Sequence, residues 1–227
     1  MNIQGIENVS FVDYKNKICA TIFTGGCNFK CPYCHNSGIV LGEFKTIDEN
    51  NILKDLEKRK NLIDAVTISG GEPTLQKDLF EFVIKIKNLG FLVKLDTNGT
   101  NPKVLEKLIN NNLIDYVALD IKTNFDDYNI IAKSNFDINT IKKSLQILKE
   151  ANIVYELRTT IVENFIKKEN ILKLAEDLKG ENLLYLQKFV DSKNCFENGL
   201  CEVPKDKAVE YKNILSKTIK NVMLRGY

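Results

Sequence analysis

Apolar positions along the chain switch back and forth between two spacings. Short β-rich runs alternate with longer stretches whose apolar residues recur every three or four positions, the signal of strands and amphipathic helices in turn. Ile18–Phe23 reads as a strand that ends in Thr24-Gly25-Gly26. Asp48–Lys60 reads as a helix, with Thr46 or Asp48 as its cap. Ala65–Ser69 is a strand stopped by Gly70-Gly71, and Lys77–Leu89 is a helix closed by Gly90. Phe91–Leu95 is a strand, and Pro102–Asn111 is a helix that starts on proline, whose missing N–H costs little in a first turn. Tyr116–Leu119 is a strand and Ile138–Ala151 a helix; Val154–Val162 and Lys168–Leu178 form the next such pair. Leu183–Val190 is a strand, Lys205–Ile219 a last helix and Val222–Leu224 a short final strand.

Strands that alternate with helices run parallel and are joined by right-handed crossovers. Six such units fall short of the eight of a closed barrel. The expected fold is α/β: a partial (βα)6 barrel with parallel strands, an open sheet being the alternative. Residues 1–227 read as one domain, with a core over about 18–190 and a C-terminal helix and tail over 204–227. In either geometry ligands bind beyond the carboxyl ends of the strands. Asn194–Pro204, without strong periodicity, is the segment expected to form a mobile or functional loop.

Charge narrows the function classes. The formal net charge is +2, and its basic runs, Lys54–Lys60 among them, fit solvated helix faces, so no nucleic-acid partner is expected. No apolar run approaches the roughly 18 residues of a membrane span. Met1–Lys17 is polar and has no secretory pattern. A cytoplasmic protein with reduced thiols is the expectation. Six cysteines are present, and three of them crowd into Cys27–Cys34. In a reduced compartment such crowding points to metal rather than disulfides.

The crowded segment is Cys27-Asn28-Phe29-Lys30-Cys31-Pro32-Tyr33-Cys34, placed directly after the first strand of the pattern. A structural zinc site needs a fourth ligand, and His35 stands too close to Cys34 to bite well on the same ion. Three thiolates suit a [4Fe–4S] cluster with one iron left open, although four cysteines are the usual complement. A zinc knuckle is the rival reading. Cys195 and Cys201, six positions apart in a polar loop, read as plain thiols.

Cys27-x3-Cys31-x2-Cys34 with aromatic Tyr33 resembles the signature of the radical S-adenosylmethionine (SAM) superfamily. The resemblance implies that Cys27, Cys31 and Cys34 hold a [4Fe–4S] cluster whose open iron binds SAM. It implies that Tyr33 packs near the adenine, and that reduction releases methionine and a 5′-deoxyadenosyl radical. Ser69-Gly70-Gly71-Glu72 resembles the superfamily element that holds the methionyl amine, which makes Gly71 and Glu72 cofactor contacts. Asp96-Thr97-Asn98-Gly99 and Asp120-Ile121-Lys122 are similar to motifs of glycyl-radical-enzyme activases. There Asp120 and Lys122 would contact SAM, and Asp96 and Asp120 would help to bind a monovalent cation. Arg158, charged within a β-branched run, would pair with a ligand carboxylate, with Asp120, or form a structural salt bridge. Gln187 would face the same site.

The string Gly26–Asn36 resembles activating enzymes of anaerobic ribonucleoside-triphosphate reductase, in the branch close to pyruvate formate-lyase activase. The implied activity is abstraction of a glycine hydrogen from a partner glycyl radical enzyme, with flavodoxin or ferredoxin as electron donor. One departure stands out: His35 is the single histidine, so a later histidine near the cofactor in pyruvate formate-lyase activases is absent or replaced. His35 itself reads as a local hydrogen-bonding or cofactor-packing residue. Rival readings are a radical enzyme acting on a small molecule such as a 7-deazaguanine precursor, and a non-catalytic zinc-binding adaptor.

Overall fold

A computed structural model describes residues Met1 to Tyr227, which divide into two units, each threaded several times by the chain. The first comprises Met1–Asn28, Gly38–Ala118 and Asn139–Val154; the second comprises Phe29–Ser37, Leu119–Ile138 and Tyr155–Tyr227.

The first unit is built on four strands, β1 (Ile3–Ser10), β2 (Cys19–Thr24), β3 (Ala65–Gly70) and β4 (Leu92–Thr97). β2, β3 and β4 pair in parallel, Ile22 beside Ile68 and Ile68 beside Leu95. β2 is buried at every position but Phe23, the mark of a parallel strand covered on both faces. β1 lies in Met1–Lys17, where the polar sequence pattern predicts no strand. It pairs antiparallel with β2, and its second half is largely exposed. An edge strand of this kind shows neither a continuous apolar run nor a clean alternation.

Three helices cover this sheet. In α2 (Glu49–Lys58) the Asp48 carboxylate accepts from the Asn51 N–H at 3.1 Å, and Ile52 and Leu56 are buried. In α3 (Leu79–Asn88) the buried residues are Leu79, Phe82, Val83 and Ile86, one face of a 3.6-residue period. In α4 (Pro102–Asn110), Pro102 stands at the first turn as expected. A short helix, α1 (Ser37–Leu41), follows the cysteine segment.

β5 (Tyr116–Asp120) is shared between the units. In the first, the Asp115 N–H donates to the Val93 carbonyl at 2.8 Å; in the second, the Ile121 N–H donates to the Arg158 carbonyl at 2.8 Å. The second unit then runs β6 (Val154–Ile161), β7 (Leu184–Lys188) and β8 (Val222–Arg225), paired in parallel in that order. α7 (Lys168–Asp177) and α8 (Lys205–Leu215) bury Ile171, Leu174, Ala175, Ala208, Tyr211 and Leu215. α5 (Tyr128–Ala132) is a second short helix not foreseen from the sequence, and α6 (Asn139–Glu150) returns the chain to the first unit. No helix is long and apolar enough to cross a membrane.

Candidate functional site

The expected site residues follow the carboxyl ends of the strands, and each unit carries its own set. In the first unit, Cys27 follows β2, Gly71 and Glu72 follow β3, and Asp96 to Gly99 end β4 and begin its loop.

Backbone contact explains the paired glycines. Gly70 has φ +109°, and a Cβ there would stand 2.4 Å from the Thr24 nitrogen. A Cβ on Gly71 would stand 1.9 Å from the Gly26 carbonyl oxygen, a distance no side chain tolerates. That closeness lets the Gly71 N–H donate to Thr24 O at 2.8 Å and the Glu72 N–H to Gly26 O at 2.9 Å. The two strand-end loops are thereby stitched together through backbone alone.

Glu72 is 1% exposed. Its Oε1 accepts from the Thr74 N–H at 3.1 Å, the Thr74 hydroxyl at 2.6 Å and the Thr97 hydroxyl at 2.7 Å. Its Oε2 accepts from the Asn98 N–H at 2.7 Å and keeps acceptor capacity. Burial pushes the carboxyl above its ordinary range, against the pull of these four donors. Asn98 was not singled out from the sequence, although it lies within the Asp-Thr-Asn-Gly motif. Its Nδ2 donates to Asn28 Oδ1 at 2.8 Å and stands 4.0 Å from Cys27 Sγ. Asn28 in turn donates to the Thr100 hydroxyl at 2.9 Å, so amide side chains tie the start of the cysteine segment to the β4 loop. Asp96 Oδ2 accepts from the Ser69 hydroxyl at 3.1 Å, and its Oδ1 forms an ion pair with the Lys94 ammonium 2.8 Å away.

In the second unit, Cys31, Tyr33 and Cys34 are set by a tight turn, the Cys34 N–H donating to Cys31 O at 3.0 Å. The Lys30 N–H donates to Ala132 O at 2.9 Å, at the end of α5. Phe29 packs on Phe136 and Tyr128, with ring centroids 4.9 and 6.2 Å away. Tyr33 lies between Phe165 and Phe189, and its hydroxyl is buried with no hydrogen-bond partner. His35 Nε2 donates to the Val190 carbonyl at 2.7 Å, since a carbonyl can only accept, and its ring stacks on Phe189 at 5.5 Å. The histidine thus latches the cysteine segment to the end of β7. The loop after β7 adds two ties: the Ser37 hydroxyl donates to Asn194 O at 2.5 Å, and the Glu197 N–H to Pro32 O at 3.0 Å. The segment singled out from the sequence as a functional or mobile loop is therefore bound to the cysteine segment. Cys195 is buried within it and Cys201 is exposed.

Asp120, Lys122 and Arg158 come together. Arg158 Nε donates to Asp120 Oδ1 at 2.7 Å, and Lys122 Nζ to Asp120 Oδ2 at 3.1 Å. Of the pairings open to Arg158 from the sequence, the one with Asp120 is present. The Tyr128 hydroxyl accepts from the Lys122 N–H and donates to Asp120 O, both at 3.1 Å. Burial alone would raise the Asp120 carboxyl, but the charges of Arg158 and Lys122 overcome it and hold the group far below the carboxylate range. Burial alone would lower Lys122; Asp120 reverses that and holds its ammonium well above the usual lysine value.

None of the six cysteines is in a disulfide, and no group of three or more His, Cys, Asp or Glu side chains stands at metal-binding spacing. The fit of a cluster rests on the donors themselves. Burial pushes the Cys31 thiol up to about 11, partly countered by Lys122. A thiolate there needs a bound cation, which iron supplies. The partnerless Tyr33 hydroxyl beside it marks a polar vacancy of the kind a cofactor fills. Asp96 and Asp120, the residues expected to help to bind a monovalent cation, each form an ion pair with side-chain cations.

Comparison with known proteins agrees with this chemistry. The family model of the radical SAM superfamily matches residues 21–182. A Methanocaldococcus jannaschii protein assigned as a glycyl-radical enzyme activating enzyme is 40% identical over 231 residues, covering 98% of this chain and 95% of the relative. The pyruvate formate-lyase-activating enzyme of Clostridium pasteurianum is 32% identical, over 78% of this chain and 76% of its own. Among solved structures, Streptococcus suis SuiB bound to S-adenosylmethionine superposes with a TM-score of 0.66 at 15% identity, covering 88% of this chain and 48% of that one. A domain of a Bacteroides vulgatus pyruvate-formate lyase-activating enzyme gives 0.57 at 17% identity, covering 72% and 99%. These structures share the parallel-strand α/β fold expected from the sequence. The chain belongs to the radical SAM superfamily, whose cofactors are a [4Fe–4S] cluster and S-adenosylmethionine, and within it to the family of glycyl-radical enzyme activating enzymes.

Proposed function

We propose that the whole chain, as one domain, activates an anaerobic ribonucleoside-triphosphate reductase by taking a hydrogen atom from a glycine of that partner. The observation that carries the reading is the segment Cys27–Asn36 with its latches: three cysteines outside any disulfide in the C-x3-C-x2-C order, and a lone histidine spent on the Val190 carbonyl.

Cys27, Cys31 and Cys34 would hold the cluster. When bound, the cluster and S-adenosylmethionine supply the one-electron reductive cleavage of the sulfonium and the hydrogen-abstracting power. The chain's own residues orient and shield. Glu72 Oε2 and the Gly71 backbone receive the methionyl ammonium. Lys122 and Arg158 outnumber Asp120 by one charge, and this surplus suits the methionyl carboxylate. Tyr33 offers its hydroxyl and ring to the adenosine, and His35 keeps the cysteine segment in place. A flavodoxin or ferredoxin serves as electron donor.

The test is anaerobic incubation of the reconstituted protein with S-adenosylmethionine, a reductant and a candidate reductase, followed by electron paramagnetic resonance. A glycyl-radical doublet on anaerobic ribonucleotide reductase is the expected result. A doublet on pyruvate formate-lyase alone would reassign the partner, and turnover of a small molecule without any doublet would overturn the activase reading.

A further inference from the structure

Lys94 is a long cation in the middle of a parallel strand, 3% exposed. Such a position normally takes an apolar residue, and a buried ammonium is costly unless it is paired and hydrogen-bonded. Here an ion pair and a backbone carbonyl offset that cost. Lys94 and Asp96 are two residues apart on β4, so their side chains leave the same face. Lys94 Nζ stands 2.8 Å from Asp96 Oδ1 and donates to the Asp13 carbonyl at 2.6 Å, with the Tyr116 ring centroid 5.6 Å away. The turn that carries Asp13 is itself anchored. The Asp13 carboxylate accepts from the Thr21 hydroxyl at 2.7 Å, and the Thr67 hydroxyl reaches Asp13 O at 3.5 Å. The unforeseen strand β1 delivers this turn, so the antiparallel hairpin provides a carbonyl for one buried ammonium. The other Asp96 oxygen takes the Ser69 hydroxyl. Asp96 leads directly into Thr97 and Asn98, which hold Glu72.

We propose that Lys94 is a built-in counter-ion for Asp96: a tethered ammonium, alike in charge and size to a potassium ion, that frees cofactor binding from any need for a monovalent cation. Lys94 acts through Asp96 and is a positioning residue. The inference rests on the reading of the chain as a user of S-adenosylmethionine, and it replaces the exogenous cation that the resemblance implies at Asp96.

The test is S-adenosylmethionine affinity of the cluster-loaded protein, by equilibrium dialysis, in tetramethylammonium, sodium and potassium salts at constant ionic strength. The wild-type dissociation constant is expected to hold within about twofold across the three salts. Lys94→Met, similar in length and uncharged, is expected to bind about tenfold more weakly in tetramethylammonium and to recover most of that in potassium. Rescue by a free ion is a signature that a merely structural lysine would not give. Wild-type affinity that demands sodium or potassium overturns the inference, as does a Lys94→Met defect that no cation relieves. If Lys94→Met does not fold, the wild-type salt series decides alone. Absence of binding in every salt removes the functional reading along with the inference, whereas cation-dependent binding removes the inference only.

Discussion

Glu72 and Asp120 are both carboxylates at strand ends, and the two units solve their burial in opposite ways. Glu72 is satisfied by neutral donors: two backbone N–H groups and two threonine hydroxyls. Asp120 is satisfied by two cations. Dipoles compensate burial only in part, so the Glu72 carboxyl is raised; full charges overcompensate, so the Asp120 carboxyl is lowered. The first arrangement keeps a net negative charge and suits an ammonium. The second keeps a net positive charge and suits a carboxylate.

The largest expected effect tests what both carboxylates serve. Cys31→Ala should abolish the cluster's visible absorbance and 5′-deoxyadenosine formation; retention of either would separate the carboxylate pair from cluster chemistry. Next comes the cationic side of the comparison. Arg158→Met leaves Asp120 with Lys122 alone and should cost about 2 kcal/mol in denaturant unfolding, a figure discounted for the partial exposure of both side chains. It should also weaken S-adenosylmethionine binding. On the neutral side, Glu72→Gln puts an N–H2 where only acceptors fit and should cost about 1 to 2 kcal/mol.

The pH dependence sharpens the contrast, because the two signs differ. Asp120 is lowered, so its contribution is present above about pH 4 and is lost as pH falls further toward its depressed folded value. The stability gap between wild type and Asp120→Asn should therefore shrink below about pH 4. Glu72 is raised, so its contribution is greatest below the unfolded glutamate value and falls as pH rises through the folded one. The wild type should gain on Glu72→Gln as the solution is acidified from neutrality. Equal slopes for the two variants would break the comparison. The smallest effect is a control outside both sites: Lys173→Ala, which removes an exposed pair with Asp126, should leave the denaturation midpoint unchanged.

Much of this was legible in residue order. The cysteine spacing, the Gly70-Gly71 pair and the alternation of strand and helix are local features, written in neighbouring residues. Asp48 as a cap and Pro102 in a first turn belong to the same class. Asn98 and Asn28 were not, although both lie inside recognised motifs, because an amide's role depends on which loop it reaches. Strand β1 was missed because a half-exposed edge strand carries no strict alternation.

Sequence alone therefore determined the cysteine spacing, the alternation of strand and helix from β2 onward and the family, since spacing and period survive without knowledge of distant contacts. Tertiary structure alone decided that Arg158 pairs with Asp120, that His35 latches onto Val190, and that Lys94 is buried against Asp96 and Asp13. Those pairings join residues 2 to 155 positions apart, and the strength of each depends on burial. A charge is cheap in water and costly inside a protein, and only the folded chain determines which of the two surrounds it.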